Sequence, residues 1–192
     1  MLNLFKRKNP NFSIFGLPDL LLFLSMITGI ISLILSTTTK TTLALILLFV
    51  SGIIIILSRY TRENRIYSFE SKYFLILEAF VSLFCFGFVP MIMTIVFVGI
   101  NHYSTVVVGA IYMMLGVLSV SYNLARDLNK DSIKIYIGLP ITTISFLYPI
   151  INLLCYIFGN ISYEIMLTLF LLIVGVLFVM PIKVNRLMKK SK

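Results

Sequence analysis

The sequence has few charged residues and few residues of the kinds that bind metals. Charged side chains make up 12% of the 192 residues, and the chain has 2 cysteines, 1 histidine and 7 acidic residues. Cys85 and Cys155 lie in apolar runs without metal-ligand spacing, so we interpret them as small buried hydrophobic residues. His102 has no second histidine or cysteine near it, which favours a solvated loop residue over a metal ligand. These absences leave few candidates for a metal site.

Hydrophobic residues, in contrast, make up 59% of the chain and fall into six long runs. A helix needs roughly 20 apolar residues to cross a hydrocarbon core of about 30 Å, and backbone in lipid must satisfy its own hydrogen bonds. The composition predicts an all-α integral membrane protein, one domain over residues 1–192, which keeps its N-terminus because no cleavage site follows the basic start. The six predicted transmembrane helices span about 18–36, 42–58, 73–99, 104–125, 138–158 and 163–182.

The basic residues predict how these helices are oriented. Of the 16 lysine and arginine residues, Lys40 alone falls on the opposite side from the others. The positive-inside rule therefore places both termini in the cytoplasm, and we expect a multi-pass protein of the cell (inner or plasma) membrane. This topology accounts for the net charge of +9. Anionic membrane lipids are expected partners and nucleic acid is not, because no basic patch is interleaved with stacking aromatic residues.

Two prolines predict irregular positions in the helices. Pro90, in FGFVPM, lacks the N–H of other residues, so it predicts a kink or break in the third span. Pro140 follows Gly138 and Leu139 at the start of the fifth span. Proline is favoured in the first turn of a helix, so this triplet has a structural explanation as well as the one considered next.

The second half of the chain contains YNLARDLNKDSIKIYIGLPITT and VGVLFVMPIKVNRL. Residues 124–126 and 136–140 in the first segment, and 177–183 in the second, are similar to elements of the CDP-alcohol phosphatidyltransferase superfamily, most closely the phosphatidylserine synthases. The N-terminal LPDLLLFLSMITG also resembles the first helix of these proteins. The resemblance implies a six-helix bundle with cytoplasmic termini. It further implies a homodimer, or a heterodimer with an active relative.

The resemblance also implies a chemistry, the displacement of CMP from a CDP-linked lipid by an alcohol such as serine. The family motif is D-x-x-D-G-x-x-A-R, then eight residues, then G-x-x-x-D-x-x-x-D. Its four aspartates hold divalent cations, Mg²⁺ or Mn²⁺, against a pyrophosphate, and the last can act as a base. Carboxylates four residues apart lie on one helix face, which lets a pair share a metal.

This sequence keeps at most one of those carboxylates. The alignment places Glu78 at the third aspartate and Ser82 at the fourth. Residues 50–55, which cover the first two, read VSGIII, and no acidic residue occurs between Asp19 and Glu63. A two-metal site with a single protein carboxylate is hard to sustain. The resemblance therefore supports fold and ancestry more than activity.

Three residues are candidates for a functional site. Glu78 is a lone carboxylate in an apolar run, so it is either a remnant catalytic or metal ligand or a hydrogen-bonded glutamate at a helix contact. Arg59, which aligns with the arginine of the family motif, and Arg126 are candidates for binding lipid phosphate, or they are positive-inside anchors. Asp127 and Asp131 lie among basic residues, which favours local ion pairs over a metal site.

Three functions stay open from the sequence. The first is a pseudoenzyme, a phosphatidylserine-synthase-like membrane protein that has lost catalysis and binds lipid or a membrane partner. The second is an active CDP-diacylglycerol-dependent phosphatidyltransferase of phospholipid biosynthesis, with an altered site for Mg²⁺ or Mn²⁺ centred on Glu78. The third is a small transporter component, against which the lack of further intramembrane charges argues.

Overall fold

Helices make up nearly all of the structure, as expected for apolar runs that satisfy their backbone hydrogen bonds internally. The computed structural model describes residues 16–38, 40–62, 68–99, 101–128, 135–157 and 163–185. In chain order its elements are α1 (Leu17–Ser36), α2 (Thr41–Arg62), α3 (Ser68–Ser82), a π-helix (Leu83–Phe88), α4 (Val89–Val98), α5 (Tyr103–Leu128), β1 (Ile135–Ile137), a 3₁₀-helix (Ile141–Thr143), α6 (Ile144–Ile157), α7 (Tyr163–Val179) and β2 (Lys183–Asn185).

Four helical stretches in the described part of the chain are long and apolar enough to cross a membrane. They contain 20, 21, 27 and 26 residues, and two further apolar helices are shorter. The prediction of an α-helical membrane protein is confirmed at this level of helix length and composition. The long stretches are Leu17–Ser36, Thr41–Thr61, Lys72–Val98 and Tyr103–Leu128, and the shorter ones are Ile141–Ile157 and Tyr163–Val179.

Several helices extend beyond their predicted ends, and this changes the position of basic residues. α2 continues to Arg62 instead of residue 58, so Arg59, predicted in a loop, lies within the helix. α5 continues to Leu128, which places Arg126 in its last turn. Hydropathy marks only the apolar part of a helix, whereas the backbone hydrogen bonds continue into the polar residues beyond it.

The third apolar run is a continuous helical stretch in which a π-helix precedes Pro90. Pro90 has no N–H to donate to the carbonyl of Phe86, four residues earlier. Here the helix widens, and the N–H of Val89 donates to the carbonyl of Phe84, five residues earlier. The hydroxyl of Tyr112, on α5, donates to the Phe86 carbonyl. The irregularity predicted at Pro90 is thus a π-helix, and a neighbouring helix satisfies the freed carbonyl.

α1 and α2 form an antiparallel pair whose contact is made by small polar residues. The interhelical hydrogen bonds recur every seven residues on each helix, as in a coiled coil. Serine is small, so the two backbones approach closely. This contact, termed the α1–α2 seam, contains bonds from Ser58 Oγ to the Pro18 carbonyl (2.8 Å), between Ser25 Oγ and Ser51 Oγ (2.9 Å), and from Ser32 Oγ to the Ala44 carbonyl (2.6 Å).

Gly138 holds the residues just before the 3₁₀-helix and α6 against the end of α7. Its φ is 86°, and a Cβ there would lie 1.9 Å from the Phe178 carbonyl oxygen. Its N–H donates to the carbonyl of Ile182 (3.0 Å), beside the antiparallel pairing of β1 with β2. The fifth predicted span, drawn from residue 138, therefore becomes helical only at Ile141, because the residues up to Pro140 form a turn bonded to the C-terminal segment.

The core holds polar groups in hydrogen bonds. Tyr112 and Tyr148 are fully buried, and the Tyr148 hydroxyl shares a hydrogen bond with the hydroxyl of Thr94 (2.9 Å). Cys85 and Cys155 are buried free thiols, which confirms the prediction made for them. Partnered hydroxyls of this kind avoid most of the cost of burying a polar group in an apolar bundle.

Candidate functional site

Two of the three candidate residues lie together. The Nε of Arg59, on α2, donates to Oε1 of Glu78, on α3, in an ion pair. The Glu78 side chain is 13% exposed and that of Arg59 is 40% exposed, so the carboxylate lies inside the edge of the bundle and the guanidinium lies at it. The charge of Glu78 is therefore paired, which lowers the cost of placing it on an apolar helix.

The part of α2 that aligns with the first two motif aspartates is closely packed. Ser51 is 0% exposed, and the hydroxyl of Ser25 both contacts its Oγ (2.9 Å) and donates to its carbonyl (3.0 Å). The thiol of Cys85 donates to the Ser25 carbonyl (3.6 Å). A Cβ on Gly52 would lie 1.9 Å from Oγ of Ser145, on α6. Ser51 and Gly52 are therefore packed closely against α1 and α6.

Ser82, at the position of the fourth motif aspartate, lies one turn after Glu78. Its side chain is 3% exposed, and its hydroxyl has no hydrogen-bond partner within the described residues. Ser119, on α5, is 5% exposed and likewise has no partner there. One turn further along α5, Nδ2 of Asn123 donates to the Ser119 carbonyl (2.9 Å). Sequence reasoning did not select Ser119 or Asn123, because a serine or asparagine in an apolar helix gives no signal of its own.

Arg126, the third candidate, lies in the last turn of α5 and is partly buried. A cation at the carboxyl end of a helix interacts favourably with the helix dipole. This position agrees with an anchoring role and also allows contact with a phosphate at the helix end. Asp127 follows it in the same turn, whereas Asp131 lies outside the described residues.

The described residues do not fit the family's metal site. In the described ranges, no group of three His, Cys, Asp or Glu side chains is arranged to hold a metal ion. Glu78 would supply one carboxylate, and that carboxylate already accepts a hydrogen bond from Arg59. Mg²⁺ requires near-octahedral oxygen ligands, of which this arrangement provides too few.

A contact between a histidine and a carboxylate lies at the opposite end of the helices. Nδ1 of His102, just before α5, lies 2.6 Å from Oε1 of Glu164, in the first turn of α7. The two side chains are 45% and 32% exposed. The prediction of an exposed loop position holds for His102, but its imidazole also contacts a carboxylate, which the sequence did not indicate.

No protein-family model matches the chain, and no curated protein matches it. The fold and the candidate site therefore identify only a general class of protein. This class is an α-helical membrane protein with an arginine–glutamate ion pair between its second and third helices.

Proposed function

We propose that this chain is a six-span membrane protein with a phosphatidylserine-synthase-like fold, which has lost CDP-alcohol phosphatidyltransferase activity and binds lipid or a membrane partner. In this proposal α6 and α7 are the fifth and sixth spans, and both termini lie on the cytoplasmic side of the cell membrane. Arg59, Glu78 and Arg126 then lie at the cytoplasmic ends of their helices. The partner is a second copy of the chain or an active relative.

The ion pair between Arg59 and Glu78 is the observation that supports the loss of catalysis. A metal-binding carboxylate must offer its oxygens to the cation, and here Oε1 accepts a hydrogen bond from the guanidinium. The hydroxyl of Ser51, at the position of a motif aspartate, is already bound to Ser25.

Arg59 and Arg126 support a retained capacity to bind anionic lipid. A guanidinium has five N–H donors in a fork that matches a phosphate, and Glu78 accepts from the Nε of Arg59. The side chain of Arg59 is also 40% exposed, so a head group can reach it. Basic residues near a membrane surface attract anionic lipid by about 1 kcal/mol per charge.

The loss of catalysis is tested by CMP release from the full-length protein in lipid nanodiscs. The reaction contains Mg²⁺ or Mn²⁺, CDP-diacylglycerol and one of the alcohols serine, glycerol, inositol phosphate or ethanolamine. We expect no release above that of empty nanodiscs. Release that disappears in Glu78→Gln but persists in the control Glu164→Gln would establish the active transferase with an altered metal site. Substrate flux in proteoliposomes would establish the transporter.

Lipid binding is tested by native mass spectrometry of protein released from nanodiscs with an anionic lipid. We expect Arg59→Gln and Arg126→Gln each to retain fewer anionic lipid molecules than the unsubstituted protein, because each loses a phosphate donor. Lys40→Gln is the matched control, since Lys40 is an exposed cation at the opposite end of the helices. Equal retention by all three variants would show that these arginines act only as anchors.

A further inference from the structure

Two buried hydroxyls of the described chain have no partner, and both belong to a pair of helices that pack together. Ser82 is on α3 and Ser119 is on α5, and α3 contacts α5. Burying a hydroxyl without a hydrogen bond is unfavourable, and a buried water commonly satisfies such groups by making about three hydrogen bonds. Two unsatisfied hydroxyls on helices that contact each other could therefore share one partner if they lie close together.

Two contacts locate the serines relative to each other. A Cβ on Gly109 would lie 2.9 Å from Cγ of Met91, and a Cβ on Gly87 would lie 3.0 Å from Sδ of Met113, so the helical stretch that begins with α3 runs antiparallel to α5. Between these two contacts, the Tyr112 hydroxyl donates to the Phe86 carbonyl. Ser82 lies four residues before Phe86, and Ser119 lies seven residues after Tyr112. Each serine is therefore on the helix face that makes this contact. The two serines also lie within about one helical turn of each other along it.

We infer that Ser82 and Ser119 bind a buried water molecule between α3 and α5, one turn inward from Glu78. The carboxylate of Glu78 lies on the same face of α3 as Ser82, because the two residues are four positions apart. It provides a third polar group for the water, which donates two hydrogen bonds and accepts others. The contact between α3 and α5 is thus hydrated next to the ion pair. The inference does not depend on any transferase ancestry.

The burial of a serine does not by itself indicate a bound water molecule. Ser25, Ser32 and Ser51 are each 0% exposed, yet the described structure provides a hydrogen-bond partner for all three. Water bound to the α1–α2 seam would have to displace those bonds. The three serines are therefore internal controls, identical in chemistry and at least as buried.

Water-edited solid-state NMR tests the inference on the full-length protein. The sample carries ¹³C-labelled serine in bilayers of deuterated lipid, and the two resonances are assigned by their loss in Ser82→Ala and Ser119→Ala. We expect magnetisation from water to reach Ser82 and Ser119 several-fold faster than it reaches Ser25 and Ser51. Equally slow transfer to all four would overturn the inference. Faster transfer from head-group protons in protonated lipid than from water would also overturn it, in favour of a lipid hydroxyl.

Thermal unfolding in nanodiscs provides a second measurement. We expect Ser82→Ala and Ser119→Ala each to lower the unfolding temperature by about 2–4 °C, and the double variant to lower it no further, because either change releases the same water. Ser32→Ala is the control for losing a direct hydrogen bond. The opposite result would be that each single change raises the unfolding temperature and that the two increases add in the double variant. That result would show that the hydroxyls are dry and unsatisfied, which contradicts the inference.

Discussion

The α1–α2 seam and the contact between α3 and α5 both bury serine hydroxyls, but they satisfy them differently. In the seam, Ser25 and Ser51 bond to each other, and Ser32 bonds to a carbonyl of α2. Between α3 and α5, Ser82 and Ser119 have no partner in the described part of the chain. An apolar bundle is stabilised by each satisfied hydroxyl and destabilised by each unsatisfied one. The first contact is therefore built for close packing, and the second keeps capacity for a polar ligand.

The ion pair between Arg59 and Glu78 connects these two contacts, since Arg59 belongs to α2 and Glu78 to α3. In the alignment with the transferases, α2 and α3 each supply two aspartates. Of the α2 positions, Ser51 packs against α1, while α3 carries a carboxylate with a buried hydroxyl one turn away. A binding function for a polar ligand is therefore expected on the α3 side.

The largest effect is expected from Ser51→Asp, which places an acid at a position that the resemblance aligns with a motif aspartate. Ser51 is 0% exposed and bonded to Ser25, so the new carboxylate would be buried without a cation. An uncompensated buried charge costs about 3–5 kcal/mol in free energy of unfolding. We expect a large loss of folded protein, measured by yield in mild detergent and by thermal unfolding.

The control for this change is Ser51→Ala, which removes one hydroxyl without adding charge and should cost about 1 kcal/mol. If Ser51→Asp folds as well as Ser51→Ala, the α1–α2 seam is open enough to hold an acid. The contrast between the two contacts would then fail, and α2 would again be a possible source of metal ligands.

A smaller effect is expected from Tyr112→Phe, on the α5 side. The change removes the donor to the Phe86 carbonyl, which Pro90 leaves without its usual backbone partner. Losing the partner of a buried polar group costs about 1–3 kcal/mol in free energy of unfolding. Tyr122→Phe, at a position 58% exposed on the same helix, is the matched control and should change stability little. Equal unfolding temperatures for the two variants would show that water already satisfies the carbonyl.

Much of the helical architecture could be predicted from hydropathy, because an apolar run of about 20 residues in lipid has no alternative to a helix. The ends were predicted less well. The second predicted span ends at residue 58 and leaves Arg59 in a loop, whereas α2 continues to Arg62. Hydropathy cannot locate the carboxyl end of such a helix, because a polar last turn has the same composition as a loop.

The candidate site was predicted in part, for a related reason. Glu78 was selected from the energetic cost of a carboxylate in an apolar run, but its partner depends on how α2 and α3 pack. The unpaired hydroxyl of Ser119 was not predictable either, since only tertiary contacts decide whether a serine has a partner. The transferase-like fold stays a prediction that rests on the resemblance, and the loss of catalysis stays a prediction that the ion pair at Glu78 supports.

The smallest of these effects concerns the ion pair itself. We expect Arg59→Ala to lower the free energy of unfolding by about 1 kcal/mol, a value kept low because the guanidinium is 40% exposed and screened by solvent. Glu78→Gln in the same chain should restore part of that loss, because the amide does not leave a buried charge without a partner. The measurement is a double-mutant cycle of thermal unfolding in nanodiscs, at low and high salt.

The pair formed by His102 and Glu164 is the matched control for that cycle, because its side chains are 45% and 32% exposed. We expect its coupling free energy to be smaller and to fall further with salt, as for other exposed pairs. A coupling between Arg59 and Glu78 that exceeds this control means that a cation can reach Glu78 only by displacing the guanidinium. Equal couplings would mean that Glu78 is held no more firmly than a surface carboxylate, and the structural support for lost catalysis would disappear.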